Sequence, residues 1–267
     1  MSGVTITVLG SRGSVPVSGK AFSRYGGATS CVVIRTDEGA VILDAGTGIL
    51  SLSSCLGKLQ HIPVFLSHCH VDHILGLPLC SEIFDSANRF SIYGASRGGK
   101  DIAAQVSALL SPPLWPVGAH ELPAGITFSD LPSSVTVNGI TVESMEGNHP
   151  GGVSIFRVTA AGNQIVYMTD CTNTEENCQS LLTFCRGCDL LLCDGQYSDE
   201  QWPACAAFGH NRWTEAARFA LKCDAKLLRI LHHAPNHTDD ELDNAERQAK
   251  EICPACAFSF DGEEITL

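Results

Sequence analysis

The segment 64–79, VFLSHCHVDHILGLPL, constrains the fold most strongly because it places metal-binding side chains directly after an apolar run. Within six positions it carries His68, His70, Asp72 and His73. Loops at strand ends are where a rigid sheet commonly presents functional side chains. Imidazole and carboxylate ligands without thiolate suit zinc, manganese or iron. The segment therefore predicts a buried strand that ends in a metal-binding loop.

The spacing of these four residues indicates that they bind two ions. His68 and His70 are two residues apart, so an extended turn can direct both imidazoles at one ion. Asp72 and His73 fall on the next turn and can reach a second ion. Four side chains cannot complete two coordination shells, so further ligands should follow other strands. The segments EGNHPGG, VYMTDCT and LRILHHAP supply the candidates His149, Asp170 and either His232 or His233.

Alternating and apolar segments around these candidates predict strands, mixed with helices in no strict alternation. Strands are expected at residues 3–9, 30–36 and 40–44, and FSFDGEEITL is expected to form a closing strand pair. WTEAARFALKCD predicts a helix with Thr214 as its N-cap. No linker or repeat interrupts the pattern. We expect one α+β domain over residues 1–267, with two packed sheets and helices outside them.

The net charge of −12 argues against binding nucleic acid by broad phosphate neutralisation. It leaves room for a small phosphorylated substrate, since bound metal ions reverse the local sign of charge. No apolar run approaches about 18 residues, so no membrane span is expected. The first residues, MSGVTITVLGSRGS, have neither the basic start nor the apolar core of a signal peptide, so a cytoplasmic location is expected.

Thirteen cysteines are scattered among apolar neighbours, which favours reduced thiols acting as small hydrophobic side chains. Two CxxC pairs leave alternatives open: Cys185 with Cys188, and Cys253 with Cys256. Each pair has the spacing of a redox motif, and together they could supply a four-sulfur zinc site. Their wide separation along the chain argues against the zinc site.

HCHVDH followed by His149, Asp170 and His232 resembles the five-part ligand pattern of the metallo-β-lactamase superfamily. VILDAG resembles the strand before that motif, where Asp44 would be structural. VLGSRGSVP, FGHNRWTEAARFA and FSFDGEEITL resemble the ribonuclease Z and cyclic-phosphate phosphodiesterase branch. RYGGATSC resembles a bacterial RYGGNTSC segment, with Ala28 in place of the asparagine. The resemblance covers essentially the whole chain and implies an αββα sandwich of two mixed β-sheets.

The resemblance also implies a site with two divalent ions, zinc or manganese, with iron as an alternative. One ion would be held by His68, His70 and His149. The other would be held by Asp72, His73 and His232, and Asp170 would bridge the two. A hydroxide bound between the ions would attack the substrate. Asp72 would orient it, and His210 would assist as a proton or hydrogen-bond donor.

The activity implied is hydrolysis of a small cyclic phosphodiester or cyclic nucleotide, without a stable nucleic-acid complex or membrane partner. A tRNA 3′-end endonuclease like ribonuclease Z is an alternative. It usually carries a basic arm, whereas residues 174–206 contain only Arg186 as a cation. A thioester or β-lactam hydrolase and an inactive metal-binding scaffold are further alternatives. A homodimer is compatible with the resemblance.

Overall fold

The first of two seven-stranded sheets carries the histidine-rich segment at the end of a central strand. The computed structural model describes residues 3–57 and 59–267, with every side chain there except those of residues 175–177. In spatial order this sheet contains β14 (Glu263–Thr266), β1 (Thr5–Gly10), β2 (Cys31–Arg35), β3 (Ala40–Leu43), β4 (His61–Leu66), β5 (Arg89–Gly94) and β6 (Gly125–Asp130). Strands from β14 to β3 pair antiparallel, and strands from β3 to β6 pair parallel.

The second sheet is mixed in the same way. In spatial order it contains β13 (Cys256–Phe258), β12 (Leu227–Leu231), β11 (Leu190–Asp194), β10 (Asn163–Met168), β9 (Val153–Ala160), β8 (Ile140–Gly147) and β7 (Ser134–Val137). The strands from β13 to β10 are parallel, and those from β10 to β7 are antiparallel. Parallel strands end at the same edge of a sheet, so β10, β11 and β12 present their following residues together.

Helices connect the strands, and the longest begins with a side-chain cap. The α-helices are α1 (Ser53–Leu56), α2 (Val71–Ile74), α3 (Ile102–Leu109), α4 (Glu175–Cys185), α5 (Trp202–Cys205), α6 (Trp213–Lys222) and α7 (Asp239–Ile252). At the start of α7, Thr238 and Glu241 form a reciprocal capping box. Such a box satisfies backbone N–H groups that have no partner within the helix.

Three apolar clusters define the layers. The central cluster joins the facing sides of both sheets, with Ile6 and Phe65 from the first and Phe156 and Tyr167 from the second. A second cluster lies between the outer face of the first sheet and helices that include α3. A third packs α4, α6 and α7 on the outer face of the second sheet. These layers confirm the predicted α+β fold, an αββα sandwich of two mixed sheets.

Two local predictions were wrong. The helix α6 begins at Trp213, and the Thr214 hydroxyl hydrogen-bonds the Asp199 carboxylate instead of capping the helix. The two strands of FSFDGEEITL do not pair with each other, because β13 joins the second sheet and β14 joins the first. That segment therefore connects the two layers of the sandwich. No helix in residues 3–57 or 59–267 is long and apolar enough to cross a bilayer.

Candidate metal centre

The candidate ligands meet at the edge of the sandwich where parallel strands of both sheets end. His68 follows β4 after one residue, Asp170 follows β10 after one residue, and His232 follows β12 directly. His149 follows β8 after one residue, and α2 contributes Asp72 and His73. Each rigid strand thus fixes the start of the loop that carries a candidate ligand.

Three residues just after strands have a left-handed backbone that turns their side chains away from the strand direction. The φ angles are 61° at Asp44, 49° at Asp170 and 63° at His232. Such a conformation costs a non-glycine residue roughly 1–3 kcal/mol. It persists only where the surrounding structure holds it, so packing at the strand ends fixes these side chains in the site.

The first candidate group contains His68, His70, His149 and Asp170, with ligand atoms within 4.8 Å of one another. His149 Nε2 lies 3.1 Å from His70 Nδ1. The Nε2 atoms of His68 and His149 each lie 3.8 Å from Asp170 Oδ2. These are the residues expected from the sequence around the first ion, together with the expected bridging carboxylate.

The second candidate group contains Asp72, His73, Asp170 and His232. His232 Nε2 lies 3.1 Å from both Asp72 Oδ2 and Asp170 Oδ1. His73 Nε2 lies 3.3 Å from Asp170 Oδ1. Asp170 therefore turns its Oδ2 atom toward one group and its Oδ1 atom toward the other, which is the arrangement that a bridging carboxylate requires.

Hydrogen bonds behind the site fix the imidazole rings. His73 Nδ1 donates to Asp44 Oδ2 at 2.7 Å, and His149 Nδ1 donates to the Gly209 carbonyl at 3.0 Å. Tyr167 also donates to Asp44, at 2.8 Å. Because the Nδ1 protons are used in this way, the Nε2 lone pairs of His73 and His149 can face a metal ion. Asp44 has the structural role expected from the sequence.

Burial and charge set the protonation of the candidate ligands. Burial opposes ionisation of Asp170, but the facing His232 and His73 outweigh it and hold its pKa well below the usual range. Burial would lower the pKa of His232, but Asp170 and Asp72 raise it to about 9. Burial lowers the pKa of His68 and leaves it neutral. Ionised carboxylates and a neutral imidazole suit a divalent cation, whose binding would displace a proton from His232.

The donor set fits divalent metal ions. His68 Nε2 is buried within the site and has no hydrogen-bond partner among the described residues. A buried polar atom without a partner is costly, and a bound cation would relieve that cost. The nitrogen atoms of His73 and His232 also converge, at 3.3 Å. Imidazole nitrogens and carboxylate oxygens accept zinc, manganese and iron alike.

Beside the two groups lies a pair that joins His210 to Asp194. His210 Nδ1 donates to Asp194 Oδ2 at 2.6 Å, and Asp194 is fully buried. The pair shares a third cluster of candidate ligand atoms with Asp170 and His232. Our sequence reasoning missed Asp194, although it ends the apolar run LLLCD and so follows the same order of strand and ligand.

The candidate groups open into a cavity of about 440 Å³. Its wall includes Ser14, His70, Asp72, His149, Asp170, His210 and His232. Two apolar side chains, Val71 and Phe208, also line it and are 60% and 56% exposed. We call these two residues the apolar rim. The cavity thus combines ligand atoms with an exposed apolar surface.

The remaining histidines lie outside the candidate groups. His233, the alternative to His232, donates to the Ser259 carbonyl and stacks on Phe258. His237 is buried between Gln201 and Trp213. His61 and His120 are exposed. Within the described chain, His232 is therefore the histidine of the adjacent pair that faces the site.

The CxxC pairs do not form a metal cluster. All thirteen cysteines are free, and no candidate metal group in the described chain contains a thiol. Cys185, Cys188, Cys253 and Cys256 instead lie in the apolar cluster that covers the second sheet. Burial raises the pKa of the Cys256 thiol to about 12, which favours the uncharged form. The described geometry fits small hydrophobic side chains better than a four-sulfur site.

Comparisons with known proteins identify the family and agree with the fold. A family model described as "Beta-lactamase superfamily domain" matches residues 40–233. A ribonuclease Z of Treponema pallidum is 23% identical over 309 aligned residues, covering 95% of this chain and 94% of the relative. The metallo-β-lactamase fold protein YhfI of Bacillus subtilis superposes with a TM-score of 0.76 at 20% identity over the full length of both chains. A diphosphatase of the PhnP family gives 0.74 at 17% identity, covering 98% and 97%.

Proposed function

Since the chain belongs to the β-lactamase superfamily of metal-dependent hydrolases, we propose that it hydrolyses a small phosphodiester, cyclic or nucleotide-derived, with two divalent ions. The observation that carries this proposal is the position of Asp170, whose two oxygens face separate groups of candidate ligands. Two neighbouring ions stabilise the attacking and leaving oxygens of a phosphoryl group. A bridging carboxylate between two histidine-rich groups suits that chemistry.

The candidate ligands would hold two separate ions. His68, His70 and His149 would hold one ion, while Asp72, His73 and His232 would hold the other, with Asp170 between them. Such ions supply an activated water molecule and neutralise charge on the phosphoryl group. Asp72 lines the cavity and would accept a hydrogen bond from the attacking water. Hydrolysis by an activated water molecule requires no serine or cysteine nucleophile.

His210 would donate a proton to the leaving oxygen. Its Nδ1 proton is committed to Asp194, so Nε2 is the atom free to act in the cavity. The hydrogen bond from Nδ1 to the buried carboxylate fixes the orientation of the imidazole, and a general acid requires such positioning. His210 would thus act on the substrate without holding an ion.

The cavity favours a small substrate. A volume of about 440 Å³ lies within the usual range for small-molecule sites. The apolar rim, Val71 and Phe208, offers contact area to an aromatic or heteroaromatic part of the substrate. The net charge of −12 disfavours a long polyanion. A small phosphodiester with one flat apolar substituent satisfies all three conditions.

A tRNA 3′-end endonuclease is the second candidate. It is favoured by the ribonuclease Z of Treponema pallidum, to which this chain is similar over 95% of its length. Residues 174–206, which carry only Arg186 as a cation, fold mainly as α4, β11 and α5. That segment offers little basic surface for tRNA, so we place the small phosphodiester first.

A direct comparison of substrates tests the proposal. Zinc- or manganese-loaded protein is given 2′,3′-cyclic nucleotides, 3′,5′-cyclic nucleotides and a precursor tRNA with a 3′ trailer. We expect turnover of at least one cyclic phosphodiester, and its loss in His210→Ala but not in the surface control His61→Ala. Cleavage of the precursor tRNA alone would favour the second candidate. Turnover of none of these substrates by the metal-loaded protein would refute both.

A further inference from the structure

The loop of residues 11–14, which follows β1, reaches the cavity from the first sheet. Arg12 is fully buried and donates from Nε to the Gly26 carbonyl at 2.8 Å. Its Nη1 atom donates to the carbonyls of Ala234 and His237. The Gly13 N–H donates to the His233 carbonyl at 3.0 Å. These contacts fix the loop against the segment that carries His232.

Ser14, at the end of this loop, lines the cavity in a strained conformation. Its φ angle is 67°, in the left-handed region that favours glycine. Its backbone N–H donates to Asp72 Oδ2 at 2.7 Å. A glycine could make that bond without strain, so the backbone alone does not account for a serine here. The hydroxyl is the part of Ser14 that a glycine would lack.

Gln196 orients the Ser14 hydroxyl. The Gln196 side chain is buried, and its Nε2 atom donates to Ser14 Oγ at 3.1 Å. The Oε1 atom of the same amide is buried and has no hydrogen-bond partner among the described residues, so Ser14 is the side chain that holds the Gln196 amide at this edge of the cavity. With Nε2 as the donor, Ser14 Oγ accepts from Gln196, and its single proton remains available for an acceptor in the cavity.

The end of β11 positions both proposed hydrogen-bond donors of the cavity, His210 and Ser14. Asp194 binds His210 through Oδ2, and its Oδ1 atom accepts from the Gln196 backbone N–H at 2.9 Å. Gln196, two residues further on, binds Ser14. Two buried side chains at the end of β11 thus hold His210 and Ser14 toward one cavity.

We propose that the Ser14 hydroxyl binds a non-bridging oxygen of the substrate phosphoryl group, with Gln196 as its positioning residue. This inference rests on the proposed phosphodiesterase function. A tetrahedral phosphoryl group has two non-bridging oxygens, so one can face the ion site while the other accepts from Ser14. A planar ester or lactam carbonyl has only one such oxygen. Ser14 therefore contributes to the selection of phosphodiesters.

The test uses Ser14→Gly, which keeps the backbone N–H for Asp72 and relieves the strain, and Ser14→Ala as a second variant. Metal content is measured first, and calorimetry then gives the affinity of the metal-loaded protein for inorganic phosphate. A hydrogen bond to a charged group predicts roughly 10-fold weaker phosphate binding in both variants. Metal content should be unchanged. Ser23→Ala, at an exposed serine outside the cavity, serves as the control and should match the wild type.

The Gln196→Met variant tests whether Gln196 acts by orienting the Ser14 hydroxyl or by a general effect on the fold. It should weaken phosphate binding in the wild-type background but have no further effect in Ser14→Gly, because the hydroxyl it orients is already gone. Phosphate binding without hydrolysis of any phosphodiester would reject the proposed function but keep this inference. Wild-type phosphate affinity in both Ser14 variants would overturn the inference. Loss of metal in Ser14→Gly would also overturn it, since the residue would then act through Asp72.

Discussion

The Asp194 carboxylate lies 2.6 Å from Nδ1 of His210 and is completely buried beside the candidate metal centre. A carboxylate accepts hydrogen bonds, so the shared proton resides on the histidine. The contact fixes the orientation of the ring. His210 is thereby oriented for proton transfer, whereas the two groups of candidate ligands contain His68, His70, His73, His149 and His232.

The first prediction concerns His210→Ala. Protein purified with metal should retain its ions, because His68, His70, His149 and the second group remain. The value of kcat should fall by about 10²–10⁴-fold, the usual contribution of general acid catalysis. Metal analysis and steady-state kinetics measure the two effects, and His61→Ala is the exposed control. Loss of metal from His210→Ala would show that His210 is a ligand.

The second prediction concerns Asp170→Asn. An amide presents one oxygen and one N–H₂ group, so it cannot serve both candidate groups as the carboxylate does. Metal content should fall below about two ions per chain, the number that a bridged centre holds. Activity should fall by more than the roughly 10–100-fold that is typical of residues outside the coordination shell. Asp189→Asn, which alters a carboxylate paired with Lys226 away from the site, is the control.

The third prediction concerns Gly13→Ala. A Cβ at position 13 would meet His232 Nδ1 at 2.2 Å and Cε1 at 2.3 Å, which would force the imidazole to move. The affinity for the second ion should fall by roughly 10–100-fold, as when a ligand loses its orientation. Gly3→Ala is the matched control, since its nearest atoms would lie at 3.7 Å and 3.8 Å. Unchanged metal titration of Gly13→Ala would place His232 outside the metal site.

The fourth prediction concerns the thiols. Ten of the thirteen cysteines are buried, while Cys69, Cys178 and Cys205 are partly accessible. At pH 8 the native protein should react rapidly with Ellman's reagent at no more than those three positions. Unfolding without reductant should expose all thirteen. A lower count after unfolding would reveal disulfides and restore a redox role for the CxxC pairs.

The sequence was informative where a ligand follows its own strand. The order of apolar strand and polar residue singled out His68, His149, Asp170 and the pair at 232–233, because strand ends lie at a common edge. The order of strand and ligand could not by itself choose between His232 and His233, although the family resemblance favoured His232. That choice depends on a left-handed backbone at His232, with φ of 63°, which packing across the site imposes.

Contacts between distant segments were harder to predict. Ser14 and Gln196 are 182 residues apart and meet only after the two sheets pack. The sequence also did not show that β13 joins one sheet and β14 the other, since both segments have the pattern of ordinary strands. Thr214 follows the sequence rule for a cap, yet a hydrogen bond to Asp199 holds its hydroxyl elsewhere. Local patterns carry no information about such partners.

The most direct test of the central claim is hydrolysis of bis(p-nitrophenyl) phosphate by protein that has been stripped with a chelator and then titrated with zinc or manganese. We expect negligible turnover without metal and activity that rises until about two ions are bound per chain. A chromogenic β-lactam tested in parallel should remain intact. If fully metal-loaded protein hydrolyses no phosphodiester, or if hydrolysis is equal after metal removal, the protein is not a phosphodiesterase that depends on two bound ions.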